Sequence, residues 1–169
     1  MLMLLRHLLA VAVFPFVMAV VIPVSLARRD HVILSPAETA PLLLVQLVGV
    51  LVLAIGMILL GSSLRRFASD GKGTLAPWDP PRQLVVRGPY RYVRNPMISG
   101  VILILLGEAI VLLSTSHLWW VLIFFGINAV YIPLLEEPQL ESRFGDSYTE
   151  YCRHVPRLIP RLSPWQADA

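Results

Sequence analysis

Charged residues are what this chain has least of. Asp, Glu, Lys and Arg make up 15% of its 169 residues, against 56% hydrophobic. So few charges cannot clothe the surface of a soluble domain, so the composition excludes a soluble globular protein and points to a membrane one. Cysteine is almost missing as well: Cys152 stands alone, which rules out any internal disulfide. Internal repeats and low-complexity segments are lacking too, and at this length residues 1–169 read as a single membrane domain.

What is present is a set of long apolar runs. Leu8–Ala27 and Ala40–Leu64 each reach the ~20 residues that a helix needs to cross the hydrocarbon core. Met97–Leu135 holds 39 residues with one formal charge, Glu108. As one helix it would be roughly 58 Å long, almost twice the ~30 Å core. The Ser114-Thr-Ser-His117 cluster is a place for it to turn. The expected architecture is an all-α integral membrane protein with four transmembrane helices, near 8–27, 40–64, 97–113 and 118–135, followed by a C-terminal cytoplasmic amphipathic helix. Ser25-Leu-Ala27 resembles a signal-peptidase site, but Pro15, Pro23 and the length of the run fit a retained anchor better.

Basic residues set the orientation. Seven lie in the 65–94 segment, four in the tail and one, Arg6, before the first span; with four spans these twelve share a face, against Arg28 and Arg29 on the other. The positive-inside rule then makes the N-terminus, the 65–94 segment and the tail cytoplasmic. Topology thereby accounts for the net charge of +3, and no nucleic-acid partner is read from it.

Two polar strings stand at the two feet of the 97–135 hairpin. The first, Arg87-Gly-Pro-Tyr-Arg-Tyr-Val-Arg-Asn-Pro-Met97, sets three arginines and two tyrosines against the apolar run. The second, Glu136-Glu-Pro-Gln-Leu-Glu-Ser-Arg-Phe-Gly-Asp-Ser-Tyr-Thr-Glu-Tyr151, follows its other end. Residues 71–81, rich in Gly and Pro, read as a connection, and Arg82–Arg87 as an extended strip. Asn95-Pro96 reads as N-cap and first helical residue. A new helix is expected after Pro133, with Glu136 and Glu137 in its first turn, where the helix dipole favours carboxylates. Leu140, Phe144, Tyr148, Tyr151 and Val155 then share a face, and Pro156 ends the helix.

Each residue has an ordinary explanation as an interfacial anchor, a cap or a docking contact. Together they form a pocket with an acid pair, an extended strip and several aromatics. Such a pocket suits a zwitterionic, adenine-bearing ligand with a cationic centre: strip backbone for the adenine edge, a carboxylate for ribose hydroxyls or an amine, and tyrosine faces for a sulfonium.

The pairing of Arg-Gly-Pro-Tyr-Arg-Tyr-Val-Arg-Asn-Pro with Glu-Glu-Pro-x-Leu-x-x-x-Phe-Gly-x-x-Tyr-x-x-Tyr-x-x-x-Val-Pro-Arg-x-Ile-Pro, from about Arg82 to Arg161, resembles the isoprenylcysteine carboxyl methyltransferase family, which includes bacterial lipid and thiol methyltransferases. The resemblance implies S-adenosyl-L-methionine bound on the cytoplasmic side by segments near 82–98 and 136–161. No Rossmann domain is implied, and no Gly-x-Gly-x-x-Gly follows a strand here. By position the family's cofactor residues fall on Arg82, Gln83, Leu84, Val85, Tyr90, Asn95, Pro96, Met97, Ile98 and Glu136. Members usually carry Arg-His-Pro-x-Tyr where this chain has Arg94-Asn-Pro-Met-Ile98. Eukaryotic members also place an arginine, suited to a substrate carboxylate, where this chain has Ile132, which weakens a prenylcysteine reading.

Candidate substrate residues are Arg94, Glu137 and Glu108. Glu108 lies mid-span, where an unpaired carboxylate costs several kcal/mol. Its plain alternative is a buried acid hydrogen-bonded to Gln46 or Asn128. The resulting expectation is an S-adenosylmethionine-dependent membrane methyltransferase that takes a lipophilic small molecule or lipid as acceptor among its membrane-lipid partners, with no metal. A carboxyl O-methyltransferase of the isoprenylcysteine type and a non-enzymatic membrane scaffold are the competing readings.

Overall fold

The computed structural model describes residues 15–32, 35, 38–70 and 84–166, and among these every regular element is helical, with no strand. A π-helical turn, Val17–Val21, leads into α1 (Ile22–Arg29). Then come α2 (Ala40–Asp70), a 3-10 turn (Gly88–Arg91), α3 (Pro96–Val111) and α4 (Thr115–Tyr131). A second π turn (Ile132–Glu136) joins α4 to α5 (Glu137–Phe144), and α6 (Asp146–His154) follows. Two helices are long and apolar enough to cross a membrane, Ala40–Phe67 and Thr115–Phe144; Pro96–Val111 is a shorter apolar helix. The expected span at 8–27 is helical over the part of it that is described, from residue 15 onward.

The expected turn at 114–117 is present. Leu113 adopts a positive φ of 49°, and the Ser114 hydroxyl oxygen accepts the His117 N–H at 3.5 Å, so α4 begins at Thr115 rather than at 118. His117 is buried, with Nδ1 2.8 Å from Ser114 Oγ and Nε2 3.1 Å from Pro23 O. A carbonyl only accepts, so Nε2 carries the proton and Nδ1 takes the serine hydroxyl. Trp120 Nε1 donates to Met18 O at 3.1 Å. These bonds dock the N-terminal helix on α4.

α2 and α3 run antiparallel along a seam of small residues. Gly49, Gly56 and Ser63 stand seven apart on α2, as do Gly100 and Gly107 on α3. That spacing keeps them on one stripe of a helix. A Cβ built on Gly107 would lie 2.6 Å from Leu53 N, and one on Gly56 2.7 Å from Ile104 N. The two backbones are therefore in van der Waals contact, the packing that small residues permit where lipid offers no hydrophobic drive. Val101, Ile104, Leu105, Ala109, Val121 and Phe124 fill the core between α3 and α4. Large apolar side chains face outward along the long helices, among them Leu44, Leu51 and Ile58 on α2 and Trp119 and Ile127 on α4. A belt of that extent fits hydrocarbon.

Two expectations fail at the second foot. No new helix starts after Pro133: the chain runs helically from Thr115 to Phe144. The turn before Pro133 stays regular, with Ile132 N–H on Asn128 O; the helix widens in the next turn, directly ahead of Pro138, so that Glu137 N–H bonds Ile132 O five residues back. Glu136 and Glu137 thus lie within a continuous helix and not in a first turn, which removes the dipole argument for them. The amphipathic helix is also not one piece. Gly145, at φ 55° and ψ −132°, separates α5 from α6, a conformation open essentially to glycine alone.

Candidate functional site

The two feet meet through one carboxylate. Arg157 grips Glu137 with two parallel hydrogen bonds, Nε to Oε1 at 2.7 Å and Nη2 to Oε2 at 2.8 Å. Arg94 Nη1 approaches the same Oε1 at 3.1 Å. Glu137 therefore joins the first motif, the second motif and the tail, in the fork geometry that a guanidinium and a carboxylate share. Arg94 also donates to Cys152 Sγ on α6.

Beyond α6 the chain turns back as an extended strap over the start of α3. Arg94 N–H donates to Pro156 O at 2.8 Å, and Asn95 donates to Arg157 O through its backbone N–H at 3.2 Å and Nδ2 at 3.3 Å. The Ser99 hydroxyl lies 2.9 Å from Leu158 O. Arg161 N–H donates to Tyr92 O at 3.0 Å and Trp165 N–H to Arg91 O at 2.9 Å, while Arg91 Nε returns a bond to Trp165 O at 2.7 Å. Asn95 does occupy the N-cap position, but its side chain makes no cap bond. It is turned toward the strap, so the expected side-chain cap is corrected: strap carbonyls take the N–H groups just ahead of the helix.

Under the strap lies an aromatic floor. Tyr148, Tyr151 and Val155 are buried, with Leu84, Val86, Leu140, Phe144 and Trp165 packed on them. The face expected for Leu140–Val155 does turn inward, despite the break at Gly145. Tyr151 OH donates to Tyr90 O at 2.6 Å, and the Trp165 ring stacks on His154, centroids 5.2 Å apart. Tyr90 is itself buried. Burial, then the nearby Tyr151 phenol and the Glu136 carboxylate, hold its phenol well above the usual range. It stays protonated at neutral pH and is a hydrogen-bond donor.

The residues expected at the site separate into groups. Tyr90, Asn95, Pro96, Arg94, Glu136 and Glu137 come together at the hairpin's feet. Leu84 and Val86 pack on the floor, and the intervening Val85 is buried, the alternation of an extended strip. Met97 is half-buried in the first turn of α3. Ile98 packs into the core between the helices rather than on the floor. Arg82 and Gln83 lie outside the described residues. Glu108 is apart from all of them, twelve residues along α3 from Pro96, or roughly 18 Å at 1.5 Å per residue. Its Oε2 is buried without a partner. Neither expected partner reaches that oxygen: Gln46 donates to Ser35 O and Val111 O, and Asn128 to Phe124 O.

Sequence reading missed Ser99, the strap carbonyls and the pairing of Arg157 with Glu137. The Val155-Pro-Arg-Leu-Ile-Pro160 string was the available signal, since closely spaced prolines forbid helix and favour extended chain. Two guanidinium N–H groups of the first motif, Arg91 Nη2 and Arg94 Nε, are buried with no partner. Buried donors are seldom left so.

The family model described as phospholipid methyltransferase matches residues 44–147. The chain belongs to the phospholipid methyltransferase family. No curated protein and no solved structure matches it. Membership makes this a membrane methyltransferase, and the matched span holds α2 from Leu44 onward, the first foot of the hairpin, and the second foot, with Glu137, as far as Ser147. The strap of this phospholipid methyltransferase family member lies entirely beyond the match.

Proposed function

We propose that this chain is an S-adenosylmethionine-dependent methyltransferase with four membrane spans, that it binds its cofactor on the cytoplasmic side between residues 84–98 and 136–151, and that it methylates a lipophilic or amphiphilic acceptor. The observation that carries the reading is the three-way meeting of Arg94, Glu137 and Arg157 beside buried Tyr90 and Glu136.

The residues present fit the ligand. Orphaned Arg91 Nη2 and Arg94 Nε are donors for a carboxylate, Glu136 is an acceptor for an ammonium or for ribose hydroxyls, and the non-helical strip at 84–86 offers backbone groups to an adenine edge. When bound, S-adenosylmethionine supplies a sulfonium methyl group for in-line displacement. The protein's part is to orient donor and acceptor and to exclude water, and orientation alone is worth several powers of ten in rate. The protonated Tyr90 donates a hydrogen bond, and its ring favours positive charge. A thiolate or carboxylate acceptor needs no general base and an amine must arrive neutral, so no side chain is assigned that task.

The test is ligand stabilisation. S-adenosylhomocysteine at 100 times its Kd should stabilise the purified protein by about 2.7 kcal/mol, seen as a raised Tm. No shift at millimolar ligand would leave only the scaffold reading.

A further inference from the structure

We infer that Arg157, which lies outside the family match, is a positioning residue of the cofactor site. The inference rests on the cofactor reading above and deepens it. Arg157 acts at two points at once. Its side chain fixes Glu137 by two bonds, and Glu137 directly follows Glu136 on the helix, so clamping one sets the other. Its carbonyl takes both N–H groups of Asn95, at the start of α3. One residue thereby sets the distance between the two feet.

The alternative for Arg157 is a substrate anion clamp, and the geometry argues against it. Its Nε–Nη2 edge is occupied by Glu137, and that bond holds the guanidinium charged. A second anion would meet only the donors left on Nη1 and the outer side of Nη2, without the inner edge that Glu137 holds. Its side chain is 38% exposed, so its solvent-facing part lies toward water while Glu137 holds the inner edge. Neither the sequence pattern nor the family match required this, because the contact joins positions 20 residues apart through a strap that follows two short helices.

The experiment uses the full chain in lipid nanodiscs, titrated calorimetrically with S-adenosylhomocysteine, for wild type, R157A, R157K, E137A and R157A/E137A. R157A should raise Kd about tenfold or more, the scale of a lost charged hydrogen bond. R157K, which keeps the charge and one bond, should recover part of that loss. If Arg157 acts through Glu137, the double variant should bind within about twofold of the weaker single one, as expected for coupled residues. A wild-type Kd in R157A, accompanied only by a lower Tm, would overturn the inference and leave a structural ion pair. Additive losses in the double variant would overturn it too, by showing that Arg157 meets the ligand directly. Should R157A fail to fold, R157K against E137Q reads the same coupling with side-chain volume kept. Wild-type protein that binds no ligand would instead overturn the cofactor reading, and this inference with it.

Discussion

Glu136 and Glu137 are neighbours in the chain and opposites in environment. Glu137 is answered by two guanidinium groups; Glu136 lies near enough to Tyr90 to act on its phenol, and burial, with the neighbouring Glu137 carboxylate, raises the pKa of Glu136 itself. A carboxylate with no cation beside it is the one left to meet a ligand's positive or hydroxyl groups. We predict that Glu136→Ala weakens S-adenosylhomocysteine binding by roughly 1.5–3 kcal/mol, the worth of a charged hydrogen bond. Glu141→Ala should change it little, because Glu141 is exposed on α5 and exposed charges contribute little. Equal effects in a titration would sink the assignment of Glu136. The acceptor can be argued from residues as well. Ile132 is fully buried and apolar, and the unpartnered donors of Arg91 and Arg94 are those offered above to the cofactor's own carboxylate. With labelled S-adenosylmethionine at matched detergent, phosphatidylethanolamine or a short alkyl thiol should therefore take more label than the carboxylate of farnesylcysteine. Label found only in the farnesylcysteine ester would show that some other cation holds a carboxylate.

At the scale of elements, the two punctuation residues of the second foot exchange the roles that sequence patterns assign them. Pro133 reads as a boundary, yet a proline ends a helix only when the chain around it cannot rearrange, and here the helix continues through it and widens into a π turn ahead of Pro138. Gly145 reads as one tolerated glycine inside an amphipathic pattern, yet its backbone angles are closed to other residues. The inward face was legible because burial follows side-chain pattern; the break was not, because it depends on one backbone conformation. Gly145→Ala should therefore strain the α5–α6 corner by about 1–3 kcal/mol, measured as a lower Tm. The α2–α3 seam was equally hidden, since five small residues mean nothing until the helices are paired. Gly107→Val drives side-chain atoms into the Leu53 backbone and should cost about 1–3 kcal/mol by overpacking. Gly126→Ala on α4 is the control, because a Cβ there meets nothing within 4 Å. If both behave alike on thermal unfolding, the seam is not holding the helices.

Across the whole molecule, the convergence of two motifs at the feet of one hairpin was legible from hydropathy and length, because a chain that crosses a layer and returns must end where it began. The strap was not, since backbone hydrogen bonds between distant segments carry no side-chain signature. Orientation is the remaining prediction at this scale. With Cys152 replaced, single cysteines at positions 71–76 should react with a membrane-impermeant maleimide only when it is supplied to the cytoplasmic face. Labelling from outside sealed cells would reverse the topology and place the pocket away from its ligand. The tight antiparallel contact of α2 with α3 bears on traffic into that pocket. Where an added methyl group has no room, an acyl chain has none either, so this flank of the protein is a wall. A lipid acceptor must come by another route, along the α4 side or from the membrane surface beneath the strap. Tethering the strap to α3 should then slow the exchange of acceptor for product.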